Sequence, residues 1–144
     1  MTVLVPDVNI LVYAFRTDSP AHDVYRAWLN EAVATDHIGL ADTIVSGFVR
    51  IVTHPRIFED PAPAAAAVSF VRHLVDSPRT GWLPTGAAAW DAFEELTATD
   101  HAIRGNLVPD AYIAALCIAN GARLATRDRG FARFPGLRWF DPGQ

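Results

Sequence analysis

Lysine is missing from this chain of 144 residues, so all twelve of its Lys and Arg positions are arginines. Any mechanism that needs a lysine ammonium is therefore excluded. Arginine forks match phosphate oxygens bidentately. Apart from histidine, the chain has no other cationic side chain with which to contact an anionic ligand.

Cysteine and long apolar runs are also scarce. The single cysteine, Cys117, has no partner for an internal disulfide, which fits a reducing compartment. No apolar run approaches the roughly 20 residues that span a bilayer, and residues 1–7 lack the pattern of a secretory signal. Hydrophobic residues make up 51% and charged residues 19% of the chain, as in packed globular proteins. We expect a cytoplasmic protein without membrane contact, folded as a single domain over residues 1–144.

The net charge of −4 is unevenly distributed along the chain. Residues 1–100 carry six arginines against thirteen acidic residues, a net of −7, whereas residues 101–144 carry six against three, a net of +3. This pattern indicates either a basic edge on an acidic body or an ordinary solvated surface, which is the commoner case. Five arginines crowd into sixteen residues of the second part: Arg123, Arg127, Arg129, Arg133 and Arg138.

Short β-branched and aliphatic runs alternate with segments of helical periodicity. This alternation predicts an α/β protein, a three-layer sandwich with a short parallel sheet flanked by helices. Within it, we expect Asp42 to cap a helix and Gly121 to end the last one. Strands are predicted at residues 2–6, 38–40, 82–83, 123–126 and 137–140, and helices at residues 9–15, 20–34, 42–53, 63–75, 86–98 and 109–120.

Three aspartates occupy positions where such sheets bind ligands, beyond the carboxyl ends of the strands. Asp7 and Asp128 each follow a predicted strand, and Asp110 lies in the first turn of the last helix. Clustered carboxylates repel unless a cation sits among them, and hard oxygen ligands suit Mg²⁺ or Mn²⁺. The pattern favours a metal-dependent phosphodiesterase, although each aspartate alone also fits an ordinary turn or helix-start role.

Four segments, in order, resemble the motifs of PIN domains, and in particular of VapC-type toxin ribonucleases. Residues 5–13, Val-Pro-Asp-Val-Asn-Ile-Leu-Val-Tyr, are similar to the opening strand that ends in Asp-x-Asn. Residues 46–58 are similar to the second helix of a VapC subgroup. Residues 105–117 resemble the helix that carries the family's third acid, and residues 124–137 resemble its closing motif.

The resemblance implies a toxin that is a Mg²⁺-dependent endoribonuclease and cleaves tRNA, rRNA or mRNA. Asp7 and Asp110 would be the principal metal ligands, with Asp128 completing the acidic pocket, and Asn9 would orient Asp7 by hydrogen bonding. A VapB-type antitoxin would inhibit the enzyme by filling this pocket, and the toxin would be a homodimer.

One position departs from the family. Most PIN domains carry a Glu in the helix that here has Gly47 or Phe48 at that place. Asp42, about one turn upstream, is either a substitute acid or only a helix N-cap. Arg50, next to the position of the missing acid, either faces a phosphate or pairs with a carboxylate.

The arginine-rich segment starts beside Asp128 in the closing motif. Arg127, Arg129 and Arg133 are therefore predicted to line the approach to the metal and contact RNA phosphates. The alternative is that they are ordinary surface residues.

Other protein classes also place acids at strand ends. Receiver domains and haloacid-dehalogenase-type phosphatases use a lysine, which this chain lacks, and Asn9 stands where the phosphatases have a second aspartate. The remaining alternative is a PIN-like module that has lost activity and only binds RNA or a partner.

Overall fold

The computed structural model describes residues 2–144. Five strands form one sheet in the order β3-β2-β1-β4-β5, and each neighbouring pair is parallel. The three central strands, β1, β2 and β4, are the most buried, which explains why they appear in the sequence as brief apolar runs. Their bounds are β1 Val3–Pro6, β2 His37–Leu40, β3 Thr80–Trp82, β4 Arg123–Ala125 and β5 Arg138–Phe140.

The connections between the strands are helical. Helix α1 packs against α2 and α3, α3 against α4, and α5 against α6. β1, β2 and β3 follow one another towards one side of the sheet, and right-handed crossovers place α1 to α4 on one of its faces. The next crossover leads back to β4, on the other side of β1, and therefore places α5 and α6 on the opposite face. The predicted three-layer α/β sandwich is therefore confirmed. The helices are α1 Val8–Phe15, α2 His22–Thr35, α3 Asp42–Val52, α4 Ala64–Val75, α5 Ala87–Thr99 and α6 Val108–Ala119.

Strand β3 begins two residues earlier than predicted. Thr80 and Gly81 pair with Ile38 and Gly39 of β2, so the ladder with β2 determines the strand despite the poor strand propensity of glycine. A Cβ on Gly39 would lie 2.7 Å from Leu83 Cδ2. A larger residue at position 39 would therefore force the Leu83 and Val3 side chains to move.

Helix α3 starts differently from the prediction, and the interpretation of Asp42 as an N-cap is wrong. The cap is Ala41, whose carbonyl accepts from the N–H of Val45 at 3.0 Å, and it makes no side-chain cap bond. Asp42 is instead the first residue of the helix, where a negative charge interacts favourably with the helix dipole.

Helix α6 ends as predicted. Gly121 has φ +60°, a conformation that favours glycine, and the N–H of Ala122 donates to the carbonyl of Cys117 at 2.9 Å. Cys117 is fully buried in the hydrophobic core. This tight ending turns the chain directly into β4.

The core lies on both faces of the sheet. Val5 and Leu124 on adjacent strands are fully buried, as are Leu11, Phe48 and Leu116 from the helices. Polar side chains are left to the ends of the strands. Across residues 2–144, no helix is long and apolar enough to cross a membrane.

Candidate active site at the carboxyl edge of the sheet

The carboxyl ends of β1 and β4 lie side by side. Pro6 and Ala125 are register partners, and the N–H of Asp7 donates to the carbonyl of Ala125 at 2.9 Å. Asp7 and Asp128 are therefore the first acidic residues after two adjacent strands, at the edge where open α/β sheets bind ligands. Asp7 is 5% exposed, whereas Asp128 is open to solvent.

A single threonine connects these two strand ends. The hydroxyl of Thr126 donates to Asp7 Oδ2 at 2.8 Å and accepts from the N–H of Asp128 at 3.0 Å. Asp7 Oδ1 accepts from the N–H of Val8 at 2.8 Å, so Asp7 also caps α1. Thr126 is fully buried. In the sequence it appears only as the end of a strand, and no pattern distinguishes it from other strand-end threonines.

The third aspartate comes from a different element. Asp110 lies in the first turn of α6. It lines a cavity of about 530 Å³ together with Asp7, Asp128 and Asn9. The structure thus brings the three aspartates that were predicted as metal ligands to one cavity, from the ends of two strands and the start of a helix.

The carboxylates of the cavity are partly buried and repel one another. Burial, followed by the charges of Asp7 and Asp128, raises the pKa of Asp110 to about 6. Burial also raises the pKa of Asp7; the hydrogen bonds from Thr126 and Val8 oppose this rise, and the charge of Asp128 adds to it. A cation among these groups would stabilise their charged forms.

The donor set fits a hard divalent cation. Carboxylate oxygens suit Mg²⁺ and Mn²⁺, and Mg²⁺ keeps several waters while binding to one or two carboxylates and to substrate phosphates. Among residues 2–144, no three His, Cys, Asp or Glu side chains lie close enough to form a ready-made ligand group. Asp7 and Asp110 are the side chains that would hold the ion, with Asp128 acting through water.

Asn9 lines the cavity and is exposed. In the described chain the two oxygens of Asp7 accept from Thr126 and Val8. The role of Asn9 in orienting Asp7 therefore stays a prediction. The helical turn that begins at Asp7 brings the N–H of Val8 to the carboxylate, and the neighbouring strand supplies the hydroxyl.

Most of the arginines that were predicted to line the approach to the metal do not line the cavity. Among the described residues, Arg50 is the one arginine in the lining of the cavity. Arg127 lies over the ring of Tyr13, 5.6 Å from its centroid, and Arg133 donates to Asp100 Oδ2 at 3.0 and 3.1 Å.

The remaining members of the arginine-rich segment are also accounted for. Arg129 is exposed and does not line the cavity. Arg123 and Arg138 begin β4 and β5, at the opposite edge of the sheet. The five arginines therefore do not form one basic edge.

Comparison with known proteins agrees with this geometry. The model of the PIN domain matches residues 4–137, which is nearly the whole chain. The chain belongs to the PIN-domain family.

Within the family, this PIN domain is similar to VapC ribonucleases. It is 40% identical over 141 residues to Ribonuclease VapC43 of Mycobacterium tuberculosis, covering 97% of this chain and 95% of the relative. It is 33% identical over 145 residues to Ribonuclease VapC33 of the same organism, covering 97% and 98%. Its fold matches the crystal structure of VapBC2 from Rickettsia felis bound to a promoter DNA fragment, with a TM-score of 0.72, 21% identity, and 97% and 98% coverage.

The α3 wall of this PIN domain contains no acid. Thr43, Gly47, Arg50 and Ile51 line the cavity from α3. Of the two positions named for the missing Glu, Gly47 faces the cavity and Phe48 is fully buried. Asp42 lines a separate depression between α3 and α4. Because Asp42 faces another surface, the structure does not support it as a substitute acid.

An aromatic wall faces the aspartates from α5 and α6. Trp90 and Phe93 have ring centroids 5.3 Å apart, and Phe93 and Tyr112 are 5.8 Å apart. The indole N–H of Trp90 donates to Glu94 at 3.0 Å, which holds a ring that is 53% exposed. The cavity therefore has an acidic floor and an aromatic side.

Proposed function

We propose that this PIN domain is the toxin of a type II toxin–antitoxin pair and cleaves RNA phosphodiester bonds with Mg²⁺ or Mn²⁺. The observation that carries the proposal is the convergence of Asp7, Asp110 and Asp128 in one cavity at the carboxyl edge. The relationship to VapC ribonucleases favours this function over an inactive binding module. The substrate class is RNA, either tRNA, rRNA or mRNA.

Each residue has a separate task in this proposal. Asp7 and Asp110 would hold the cation, Asp128 would contact its water shell, and Thr126 keeps Asp7 and Asp128 in fixed relation. When bound, the cation supplies charge to the phosphodiester oxygens and acidity to a water molecule. Arg50, on the α3 wall, is available to a neighbouring phosphate, because it forms no salt bridge with a carboxylate in the described chain.

The proposed partners are a VapB-type antitoxin and a second copy of the chain. The similar Rickettsia felis fold is that of a VapBC pair, which supports an antitoxin here. The acidic floor and aromatic side of the cavity suit a protein segment with a cation and apolar groups. Growth arrest by this chain in the cytoplasm of a host cell, relieved by its antitoxin, would test that partnership, and sedimentation of the purified toxin would test the homodimer.

The activity is tested with purified protein and a mixture of structured RNAs. We expect cleavage in Mg²⁺, none in EDTA, and recovery when Mg²⁺ is added back. Asp110→Asn should be inactive, whereas Asp42→Asn, which removes the same charge outside the cavity, should keep wild-type activity. Cleavage that persists in EDTA would contradict the metal mechanism, and RNA binding without cleavage in Mg²⁺ would restore the binding-module alternative.

A further inference from the structure

The amino ends of the strands border a second, larger cavity. It has a volume of about 1110 Å³, and Arg79, Arg123 and Arg138 line it together with one carboxylate of the described chain, Asp36. These arginines stand at the starts of β3, β4 and β5. The arginine groove, as we call this cavity, therefore lies at the sheet edge opposite the catalytic aspartates.

The groove has the length of an extended ligand. β3 and β5 are the two outer strands of the sheet, separated by four inter-strand spacings. At about 4.8 Å each, this distance is roughly 19 Å. A single phosphate ion cannot contact both ends, whereas a chain of phosphates can.

The three arginines are not neutralised by neighbouring carboxylates. In the described chain, salt bridges pair other arginines with Asp18, Asp76 and Asp100, and none includes Arg79, Arg123 or Arg138. The charge that faces the groove is therefore in excess of the single opposing carboxylate.

Two of the arginines are nevertheless held in place. The guanidinium of Arg123 lies 4.0 Å from the ring centroid of Phe140, and Arg138 donates to the carbonyl of Gly121 at 2.8 Å. Neither contact removes the positive charge. Ordering the side chains in advance lowers the entropy that a ligand has to overcome on binding.

Arg123 and Arg138 are also direct register partners on adjacent strands. Two like charges at this spacing repel each other, and neither arginine forms a salt bridge in the described residues. A polyanion in the groove relieves this repulsion, which makes it the complementary ligand.

We propose that the arginine groove binds the phosphate backbone of the RNA substrate, away from the bond that is cleaved. This inference rests on the proposed function in one respect, namely that RNA is the substrate. Arginine forks match phosphate oxygens, and Trp28 and Trp139 beside them offer ring surfaces to unpaired bases. The groove adds phosphate contacts to those that the cavity makes through its cation and Arg50.

The test measures the affinity of a short labelled single-stranded RNA in EDTA, where no cleavage occurs, from about 50 to 200 mM salt. The variant Arg79→Gln, Arg123→Gln, Arg138→Gln should show a salt dependence flatter by about 2, or about 0.7 for each lost contact. Over this range the affinity of the wild type should fall roughly 16-fold more than that of the variant. A slope equal to that of the wild type would overturn the proposal.

A matched control separates the site from the general effect of charge. Arg56→Gln, Arg72→Gln, Arg104→Gln removes the same charge from exposed positions outside the groove. The control should keep the wild-type slope, and equal flattening in both triple variants would overturn the proposal. If the groove variant unfolds, Arg79→Gln alone, whose side chain makes no hydrogen bond within residues 2–144, should still flatten the slope by about 0.7.

Competition arms distinguish the source of the anion. Displacement of RNA by a low concentration of tripolyphosphate would show a small-anion site. Binding of poly-glutamate as tightly as RNA would show a peptide site. Either result overturns the RNA proposal. If the wild type does not cleave RNA in Mg²⁺, that result counts against the proposed function instead, so the two failures are separable.

Discussion

The two edges of the sheet carry opposite charge for opposite purposes. The carboxyl edge holds Asp7, Asp110 and Asp128 around a cavity, and the amino edge holds Arg79 and two further arginines around a groove. Elsewhere in the chain, arginines close to aspartates form ion pairs. Separation by the length of the sheet keeps the acids available to a cation and the arginines available to an anion.

Of the changes considered, removal of one acid from the carboxyl edge should have the largest effect. Asp110→Asn keeps the shape of the side chain and removes a charge from the cavity, so we expect cleavage to fall by roughly 10²–10³-fold. The metal-free variant should be more stable than wild type at neutral pH, because the cost of burying the Asp110 charge and its repulsion from Asp7 and Asp128 are lost. Kinetics and thermal unfolding measure the two effects, and wild-type cleavage by a folded variant would remove Asp110 from the site.

Loss of the connecting hydroxyl should have the next largest effect. Thr126→Val leaves Asp7 Oδ2 and the N–H of Asp128 without their shared partner, so we expect about 1–3 kcal/mol lower stability. Mg²⁺ affinity at neutral pH should also fall, because the hydrogen bond lowers the pKa of Asp7. Thr126→Ser, which keeps the hydroxyl, is the control. Equal losses in both variants would mean that the methyl group, rather than the hydroxyl, matters.

The pH dependence of stability should distinguish the acidic edge from an ordinary surface. Asp110 has a pKa of about 6 in the folded protein and about 3.9 when unfolded. Between these values the folded state binds more protons, so the unfolding free energy of the metal-free protein should fall as pH rises from about 4 to 6. Above pH 6 this contribution should stay constant. Denaturant titrations of wild type and Asp110→Asn measure it, and equal slopes in the two proteins would contradict the raised pKa.

The smallest effect is expected at Asp42. It makes no cap bond and lines a separate depression, so Asp42→Asn should leave Mg²⁺ affinity unchanged and stability nearly so. Calorimetric Mg²⁺ titration of this variant beside Asp128→Asn provides the comparison. Equal weakening in both would mean that Asp42 reaches the metal after all.

The acidic edge was predictable from the sequence because strand ends are local features. Asp7 and Asp128 each follow an apolar run, and a parallel sheet brings such ends to one side. Thr126 was not predictable as a connector, because its role depends on β1 and β4 being neighbours. That adjacency is a property of the strand order, which no local pattern encodes.

The basic edge was not predictable, because the arginines that form it come together only through the order of the strands. Arg123, Arg129 and Arg138 are close in sequence, which suggested one surface. Arg123 begins β4 and Arg138 begins β5, so both lie at the amino edge of the sheet. Arg129 lies in the connection between these strands, which leaves β4 at the carboxyl edge. Arg79 joins them from a segment far away in the chain. The groove thus depends on topology rather than on composition.

The most direct test of the opposed edges is titration of isotope-labelled, RNA-free protein with Mn²⁺, read by NMR. Paramagnetic broadening should appear first at the amides of Val8, Asp110 and Asp128, and should be lost with Asp110→Asn. The amides of Arg123 and Arg138 at the other edge should stay sharp at the same Mn²⁺ concentration. Broadening that begins at the amino edge, or that is unchanged by Asp110→Asn, would contradict a metal site at the carboxyl edge.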